Sequence, residues 1–254
     1  MAASVRSRHL LIQVRRGVPV STSPIILVIA PHPDDEVLGC GGSILVHNDA
    51  GRVVHVLYLT SGERGSPHHT AEELGRVREA EASAAARTLG ISVSRLHFAR
   101  FPDGGVQSAD LGQVATVVRL LREVRPDLVY LPHAEDASFD HHAGFELGWR
   151  ALGMAGSRNF PEWGTEPHWV PTVLGYEVWA AIGQPVYFED ITAVLDRKLT
   201  ALACYGSQAA GAKGAGQASH VGSAAVQLTG WRGASTTGGH REAFTVLRLD
   251  QVIL

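Results

Sequence analysis

The strongest constraint on this chain is a run of six apolar residues, Ile25–Ala30, that ends in the polar sequence PHPDDE. A continuous apolar run of this length is typical of a strand buried on both faces, as in a parallel sheet. One histidine and three carboxylates then follow within five positions. Carboxylates this close repel one another, and neither a strand nor a turn requires them. We therefore expect a cation to bind where this strand ends.

Strand and helix patterns alternate along the first half of the chain. Predicted strands lie at Ile25–Ala30, Val53–Thr60, 96–98 and 128–131. Thr70 and Glu73 form a capping box for a helix that ends before Gly90. Asp110 caps a second helix that reaches about Val124. This alternation predicts an α/β fold, Rossmann-like, in which a doubly wound, mostly parallel sheet carries helices on both faces.

The rest of the pattern is less regular. Glycines after PHPDDE lead into a short predicted helix, SILVHNDAG, and the second half of the chain forms an irregular C-terminal part. That part contains a predicted strand at 173–179, a capped helix at 190–204 and a closing strand at 244–249. The segment 209–239 is rich in Gly, Ala, Ser and Thr, and we expect a long, mobile loop there. Residues 1–23 are predicted to be an N-terminal extension, and residues 24–254 a single α/β domain.

Composition excludes several classes of protein. The formal net charge of −3 over 254 residues predicts neither a nucleic-acid partner nor a membrane surface. No apolar run approaches the ~20 residues of a transmembrane helix, and the N-terminal LLIQV core is too short for a signal peptide. The two cysteines exclude a disulfide framework, so the expected location is the reducing cytoplasm.

A second polar cluster, PHAEDASFDHH, follows the predicted strand LVYL. Ligands of open α/β sheets bind beyond the carboxyl ends of the strands, so the two clusters are expected to meet at one edge. Taken singly, Asp34 or Asp35 could be a helix N-cap, and His32 an ordinary loop histidine. Imidazole and carboxylate without thiolate suit zinc with an open coordination position. Cys40 is better explained as a small buried residue than as a ligand.

These motifs carry a family resemblance. PHPDDE followed by LGCGG, together with an Asp-His pair after a PDLVY strand, resembles the PIG-L/LmbE family of zinc-dependent N-acetylglucosamine deacetylases. The resemblance extends to LTSGERG, FPDGG, KLTALACYGSQ and EAFTVLRL and spans roughly residues 25–249. It implies a hydrolase that removes an N-acetyl or other N-acyl group from a glucosamine-containing small molecule or glycoconjugate. Antibiotic or secondary-metabolite biosynthesis is one setting for such an enzyme, and a homo-oligomer is left open.

The resemblance also implies a metal site with one Zn²⁺ per chain. His32, Asp35 and His141 would be the ligands, with His142 as the alternative to its neighbour. Asp34 would be the general base that takes a proton from the attacking water.

Three further residues gain roles from the same resemblance. Glu36 would orient the turn or its ligands. Arg78 and Asp103 match family positions near the sugar hydroxyls. Each has a simpler explanation, because Arg78 could pair with Glu81 on a helix face and Asp103 could belong to a D-G-G turn.

The chain departs from the family pattern at two places. The usual second motif, His-Pro-Asp-His, is replaced by Ser-Phe-Asp-His beginning at Ser138. Serine cannot carry the positive charge that an imidazolium supplies to a developing oxyanion. His133 and His240 are the candidate replacements. Tyr205 is the second departure, since relatives often have His there.

Two other functions stay open at this point. One is a non-catalytic metal- or sugar-binding protein on a deacetylase-like scaffold, which Ser138 supports and the intact Asp34 argues against. The other is a zinc amidase that acts on a non-sugar amide. Trp163, Trp169 and Trp179 could form an apolar wall for a large aglycone, or be ordinary core and lid residues.

Overall fold

The computed structural model describes residues 23–164, 166–210 and 217–250, with only the backbone for 209–210 and 217–222. The strands are β1 (Ile25–Ala30), β2 (Val53–Thr60), β3 (Leu96–Phe101), β4 (Leu128–Pro132), β5 (Thr172–Tyr176), β6 (Tyr187–Asp190) and β7 (Arg241–Leu249). The helices are α1 (Asp35–Asp49), α2 (Ala71–Leu89), α3 (Leu111–Val124), α4 (Phe139–Ala155), α5 (Leu195–Leu202), α6 (Gly206–Ala210) and α7 (Gln217–Ala234). Among the residues so described, no helix is both long and apolar enough to cross a membrane.

All seven strands form one sheet in the order β3-β2-β1-β4-β5-β7-β6. Strands β1 to β5 pair in parallel, whereas β7 runs antiparallel to both of its neighbours. The predicted Rossmann-like, mostly parallel α/β fold is therefore confirmed. The chain winds outward from β1 through β2 and β3 and then crosses to β4 on the other side of β1. This reversal is the topological switch point, where open α/β sheets bind their ligands.

Side chains of β1 divide the core into two layers. Ile26 and Val28 lie in the layer under α1, α2 and α5, and Leu27 and Ile29 lie in the layer under α3 and α4. All four are fully buried. Successive residues of a strand point to opposite faces, so a strand covered by helices on both sides must be apolar throughout.

Most predicted elements occur, with shifted ends. Thr70 and Glu73 form the capping box of α2, and the carboxylate of Asp110 accepts hydrogen bonds from two backbone N–H groups at the start of α3. The helix predicted at 190–204 is a short 3₁₀ turn, Thr192–Val194, followed by α5. Strand β6 and helices α4 and α6 are additional to the predicted elements, and α6 overlaps the first two residues of the predicted loop.

The loop predicted for 209–239 is wrong over α7, which occupies Gln217–Ala234. Small residues suggest a loop by composition, but alanine is the best helix former and small side chains let a helix approach its neighbours closely. A Cβ at Gly233 would lie 1.9 Å from the carbonyl oxygen of Gly239, so only glycine fits there. Residues 211–216 of this segment, and 1–22 of the predicted extension, lie outside the described residues.

Helix α1 begins earlier than predicted, at Asp35, and bends at Cys40, whose φ and ψ of −146° and 23° are not helical. Cys40 is fully buried, as expected for a small core residue. After the bend, the N–H groups of Gly42 and Ser43 each donate a 2.8 Å hydrogen bond to the carboxylate of Glu242 in β7. This carboxylate acts as the N-cap of the second half of α1.

A lysine neutralises that carboxylate. Lys198 Nζ in α5 donates to Glu242 Oε1 at 2.7 Å and to the carbonyl oxygen of Leu38, just before the bend, at 2.9 Å. The two charged side chains are only 1% and 2% exposed. A buried charge is tolerated only when it is paired and hydrogen-bonded, so this pair connects α1, α5 and β7.

Replacing Lys198→Met should lower the free energy of unfolding by about 3–5 kcal/mol, because it leaves the buried carboxylate of Glu242 without its cation. Arg197→Met is the matched control, since Arg197 pairs with Asp49 on the surface and both side chains are about half exposed. The control should cost less than about 1 kcal/mol. Urea unfolding followed by circular dichroism measures both variants. Equal losses would show that the Lys198–Glu242 pair has no special role.

Candidate metal centre and active site

The first motif forms a tight turn between β1 and α1. Asp34, the residue before α1, has a φ of 123°, a conformation that side-chain-bearing residues rarely adopt. Such backbone strain costs about 1–3 kcal/mol and is concentrated at functional sites. The turn is held by the N–H of Asp34, which donates to Glu36 Oε2 at 3.1 Å, and by the carbonyl of Asp34, which accepts from Val37 and Leu38.

The turn brings the three predicted metal ligands together at the switch point. Asp35 Oδ2 lies 3.3 Å from His32 Nδ1 and 3.1 Å from His141 Nε2. One ligand atom from each of the three residues lies within 4.8 Å of the others. The alternative residue, His142, points away: its side chain is 57% exposed, and its ring contacts the carbonyl of Ala134 and Glu146 instead. The geometry therefore favours His141.

Unsatisfied polar atoms show that this donor set fits a metal ion. Asp35 Oδ1 and both ring nitrogens of His141 are buried and make no hydrogen bond of regular geometry among the described residues, although carboxylate oxygens of Asp35 and Asp136 lie 3.1 Å and 3.5 Å from the two nitrogens. A buried polar group left unpaired costs about 1–3 kcal/mol. A divalent cation would pair with a ring nitrogen of His141 and with a carboxylate oxygen of Asp35 at the same time. Two imidazoles and one carboxylate form a ligand set that suits zinc.

Two more carboxylates fix the orientation of His32. Its Nε2 atom lies 3.2 Å from Asp140 Oδ2 and 3.3 Å from Asp103 Oδ1. Asp140 is itself held by the N–H of Gly104, at 2.7 Å. With Nε2 directed at these carboxylates, Nδ1 remains the nitrogen that faces Asp35. Carboxylate partners of this kind set the tautomer and orientation of a metal-binding histidine.

His141 is oriented in the same way by Asp136, whose Oδ1 lies 3.5 Å from His141 Nδ1. Sequence reasoning assigned no role to Asp136 or to Asp140. The available signal was their position, because both carboxylates lie within the cluster PHAEDASFDHH, which also contains His141.

The carboxylates create a strongly negative field at the centre. Burial lowers the pKa of His32, but hydrogen bonds with Asp103, Asp140 and Asp35 raise it to about 12. Burial also lowers the pKa of His141, but the carboxylates of Asp35 and Asp136 raise it to about 9. Burial alone would raise the pKa of Asp35, yet the two imidazoles hold it well below its usual range. The centre therefore selects positive charge, either as protons on the imidazoles or as a metal ion.

The predicted base, Asp34, is held by Arg78. Asp34 Oδ2 lies 3.1 Å from Arg78 Nη2, and the buried guanidinium also donates to the carbonyls of Pro33 and Gly62. Burial raises the pKa of Asp34, Arg78 lowers it and Asp35 raises it again, to about 7. A carboxylate with such a pKa is well matched to accepting a proton near neutral pH. The alternative pairing of Arg78 with Glu81 does not occur, because Glu81 accepts hydrogen bonds from Ser207.

A cavity of about 220 Å³ opens beside the centre. It is lined by His32, Asp34, Asp35, Arg64, Gly65, Arg78, Asp103, Trp179 and Gln208. Both predicted sugar-contacting residues, Arg78 and Asp103, therefore line it. Asp103 Oδ2 also accepts the N–H of Arg64 at 2.8 Å, and the predicted D-G-G turn is present, closed by a hydrogen bond from Gly105 to Pro102.

The histidines considered as replacements at Ser138 are engaged elsewhere. His133 Nε2 contacts the carbonyl of Ala180 at 2.9 Å, and its Nδ1 accepts the N–H of Glu135 at 3.3 Å. His240 Nδ1 contacts the hydroxyl of Thr229 at 3.1 Å. Neither histidine is among the residues that line the cavity. Ser138 caps α4, and its side chain makes no capping hydrogen bond.

Tyr205, the second departure from the family pattern, is hydrogen-bonded to Glu36, the residue that holds the metal-binding turn. It is buried, and its hydroxyl donates to Glu36 Oε1 while Glu36 Oε2 accepts the N–H of Asp34. Burial raises the pKa of Glu36 to about 7, although the bond from Tyr205 opposes that shift. The hydrogen bond from the N–H of Asp34 to Glu36 therefore agrees with the predicted role of Glu36 in orienting the turn.

Of the three tryptophans considered as an apolar wall, only Trp179 lines the cavity. Trp163 is buried and stacks on Phe160, 4.3 Å between ring centroids. Trp169 covers the guanidinium of Arg248, 3.8 Å from its ring centroid. Trp163 is therefore a packing residue, and Trp169 is a half-exposed residue that covers Arg248 and does not line the cavity.

Fold and site together define a class: an α/β protein with a candidate two-histidine, one-carboxylate metal centre at the switch point of its sheet. Residues 27–152 match the PIG-L family, described as GlcNAc-PI de-N-acetylase. The chain is 34% identical over 194 residues to the diacetylchitobiose deacetylase of Thermococcus kodakarensis, covering 72% of this chain and 69% of that protein. The chain therefore belongs to the PIG-L family, as its motifs predicted.

Two further comparisons define the range of this similarity. The fold is similar to the crystal structure of the conserved protein TT1542 from Thermus thermophilus, with a TM-score of 0.77 and 29% sequence identity. The match covers 90% of this chain and 96% of the TT1542 chain. The 4-oxalmesaconate hydratase of Pseudomonas putida is 29% identical over 197 residues, which is 72% of this chain and 73% of that protein. The relatives thus carry more than one named activity.

Replacing Asp35→Ala should abolish stoichiometric binding of a divalent metal, because it removes the carboxylate shared by both imidazoles. Asp34→Asn is the matched control: its side chain faces Arg78 rather than the imidazoles, so the metal content should stay near that of the unmodified protein. Inductively coupled plasma mass spectrometry of the purified variants measures both. Full metal content in Asp35→Ala would refute the assigned ligand set.

Proposed function

We propose that this chain is a zinc-dependent N-deacetylase that acts on an N-acylated amino sugar of the glucosamine type. The observation that carries the proposal is a spare carboxylate, that of Asp34, lining the same cavity as the ligands His32 and Asp35. A site that only binds metal or sugar has no use for this second carboxylate, whereas amide hydrolysis requires a base next to the attacking water. The names of deacetylase relatives agree with this chemistry.

In the proposed reaction, water attacks the carbonyl carbon of the N-acyl group. A divalent cation held by His32, Asp35 and His141 would polarise the carbonyl and lower the pKa of a water molecule to about 7. Asp34 accepts the proton that the water loses on attack. The carbon–nitrogen bond then breaks, Asp34 returns the proton to the leaving nitrogen, and the products are a free amine and a carboxylate.

The neighbouring residues keep these groups in position. Arg78 holds the carboxylate of Asp34 and the carbonyl of Pro33, so the base cannot turn away from the cavity. Asp140 and Asp103 hold the ring of His32. Positioning of this kind supplies a large part of enzymatic rate enhancement, because misplacement by about 1 Å can cost about 10²-fold.

The lining of the cavity supports a small, hydroxyl-rich substrate. Arg64, Arg78 and Gln208 offer hydrogen-bond donors, and Asp103 offers an acceptor. We assign Arg78 and Asp103 to contacts with the sugar hydroxyls. We place the reaction in the cytoplasm.

The second candidate function is the addition of water to a carbon–carbon double bond. The Pseudomonas putida relative named as a hydratase favours it, because it matches 72% of this chain at an identity close to that of the deacetylase relatives. Both reactions need an activated water molecule and a base. They differ in whether a carboxylic acid and an amine are released, so product analysis separates them.

Incubation with a panel of N-acetylglucosaminides should release acetate, and a chelator should stop the release. Asp34→Asn should lower kcat by about 10²–10⁴-fold, since general-base assistance has that magnitude. Its retained metal content separates loss of the base from loss of the site. Mass spectrometry of the products measures acetate release by the unmodified protein and by Asp34→Asn. Water addition to an unsaturated dicarboxylate without any acetate release would establish the hydratase instead.

Replacing Ser138→His should raise kcat on a simple N-acetylglucosaminide, because it restores the imidazole that the family pattern has at this position, and neither His133 nor His240 lines the cavity to replace it. Removing one oxyanion donor costs about 10²–10³ in rate in other enzymes, so partial restoration should still give at least a few-fold increase. Ser138→Gln, with a neutral donor of similar size, is the matched control. Steady-state kinetics measures all three proteins, and an unchanged kcat in Ser138→His would show that no donor is missing at this position.

A further inference from the structure

The proposed base, Asp34, is held at two places. Its carboxylate contacts the guanidinium of Arg78, with 3.1 Å between Oδ2 and Nη2. Its backbone N–H donates a 3.1 Å hydrogen bond to Glu36 Oε2. The second contact matters because the φ of Asp34 is 123°, in a region that residues with a Cβ rarely adopt. Such a conformation persists only where neighbouring groups impose it, so the position of Glu36 must itself be fixed.

The side chain of Glu36 is fixed by a residue far away in the sequence. Glu36 lies in the first turn of α1 and is buried, and a buried carboxylate must be hydrogen-bonded. Its Oε2 atom accepts the N–H of Asp34, and its Oε1 atom accepts the hydroxyl of Tyr205. Two donors on the two oxygens set the direction of the carboxylate. The bond from Tyr205 therefore helps to determine where the N–H of Asp34 finds its acceptor.

Tyr205 is anchored in turn. It lies 169 residues after Glu36, in the turn between α5 and α6, and it is 3% exposed. Its backbone N–H donates to the carbonyl of Leu202 at 3.1 Å. Two residues later, the N–H and the hydroxyl of Ser207 both donate to the carboxylate of Glu81 in α2, each at 2.7 Å. The turn that carries Tyr205 is therefore attached to α2.

Helix α2 also supplies the contact with the carboxylate of the base. Arg78 lies three residues before Glu81, and residues three apart are neighbours on one face of a helix. Asp34 is thus connected to α2 by two routes. Arg78 holds its side chain directly, and Tyr205 holds its backbone through Glu36. A group fixed at both places keeps one orientation, as a general base requires.

We propose that Tyr205 is a positioning residue that acts through Glu36 on the backbone of Asp34 and keeps the base directed at the cavity. The kinetic part of this inference rests on the proposed deacetylase function. Tyr205 is not among the residues that line the cavity, so its hydroxyl acts on the base rather than on the substrate. Its loss should change the placement of Asp34 without changing the binding of the substrate.

Tyr205→Phe removes the hydroxyl and keeps the ring that fills the core. In the zinc-loaded, full-length variant, the backbone N–H of Asp34 should exchange with solvent deuterium at least about tenfold faster, because a hydrogen bond to a charged group contributes a factor of about this size. Nuclear magnetic resonance of isotope-labelled protein measures the exchange of individual amides. An unchanged exchange rate at Asp34 overturns the proposal.

The same substitution should lower kcat on a simple N-acetylglucosaminide by about 10–100-fold, because displacement of a catalytic group by about 1 Å costs about 10²-fold. KM should stay within about twofold of its original value, the pattern expected for an interaction that acts only in the transition state. The metal content should not change, since Asp140 and Asp136 still orient the two imidazoles. A raised KM with an unchanged kcat would contradict the positioning role.

Tyr130→Phe is the matched control. Tyr130 is also fully buried, and its hydroxyl contacts His47 at 2.8 Å, in the last turn of α1 rather than the first. This variant loses one buried hydroxyl as well, but the exchange rate at Asp34 and kcat should both stay at the values of the unmodified protein. Equal falls in kcat in the two variants would assign the effect to a general loss of stability and overturn the proposal.

Glu36→Gln tests the route of the effect. If Tyr205 acts through Glu36, the double variant Glu36→Gln, Tyr205→Phe should exchange the N–H of Asp34 no faster than Glu36→Gln alone, because both substitutions break the same connection. Effects that multiply in the double variant would show that Tyr205 acts by another route, against the proposal.

The exchange measurement keeps this inference separate from the proposed function. If the unmodified protein releases no acetate while Tyr205→Phe still accelerates exchange at Asp34, the deacetylase function fails and the role of Tyr205 in holding the backbone of Asp34 stands. If acetate is released and Tyr205→Phe changes neither the exchange rate nor kcat, the positioning role fails and the deacetylase function stands.

Discussion

Negative charge at the end of β1 is the constraint on which the rest of the structure depends. Four carboxylates converge on the two imidazoles there, those of Asp35, Asp103, Asp136 and Asp140. The carboxylate of Asp34 lines the same cavity. The mutual repulsion of these carboxylates is offset by the guanidinium of Arg78, by backbone N–H groups and by the imidazoles themselves. The same field makes a divalent cation a favourable occupant. Burial, opposed by Arg78 and reinforced by Asp35, raises the pKa of Asp34 to about 7, which suits water activation.

The fold keeps this charge in place through α1. The helix begins at the metal-binding turn, and its bend at Cys40 exposes N–H groups that Glu242 of β7 accepts. Lys198 neutralises that carboxylate and reaches back to the first half of the helix. Strand β7 therefore stabilises α1, the helix that begins within the first motif. Stability and site geometry are linked here, because loss of the buried pair would release the helix that positions Asp35.

Local sequence patterns were sufficient to predict much of this protein. The apolar run of β1, the capping box of α2 and the alternation of elements predicted the α/β sheet, because each depends on neighbours a few residues apart. The crowding of His32, Asp34 and Asp35 predicted a cation site for the same reason, since repulsion between adjacent carboxylates is a local property. The family motif extended this to His141.

The sequence by itself therefore determined the order of the elements and the composition of the site. Only the tertiary structure decided which distant groups meet. Asp136 joins His141 to Trp179, and Glu242 caps a helix about 200 residues earlier in the chain. It also decided that His133 is engaged with backbone groups and that a Gly/Ala-rich segment forms α7. Such pairings depend on packing between elements far apart in sequence, and no local pattern of residues encodes the distance between two side chains brought together by the sheet.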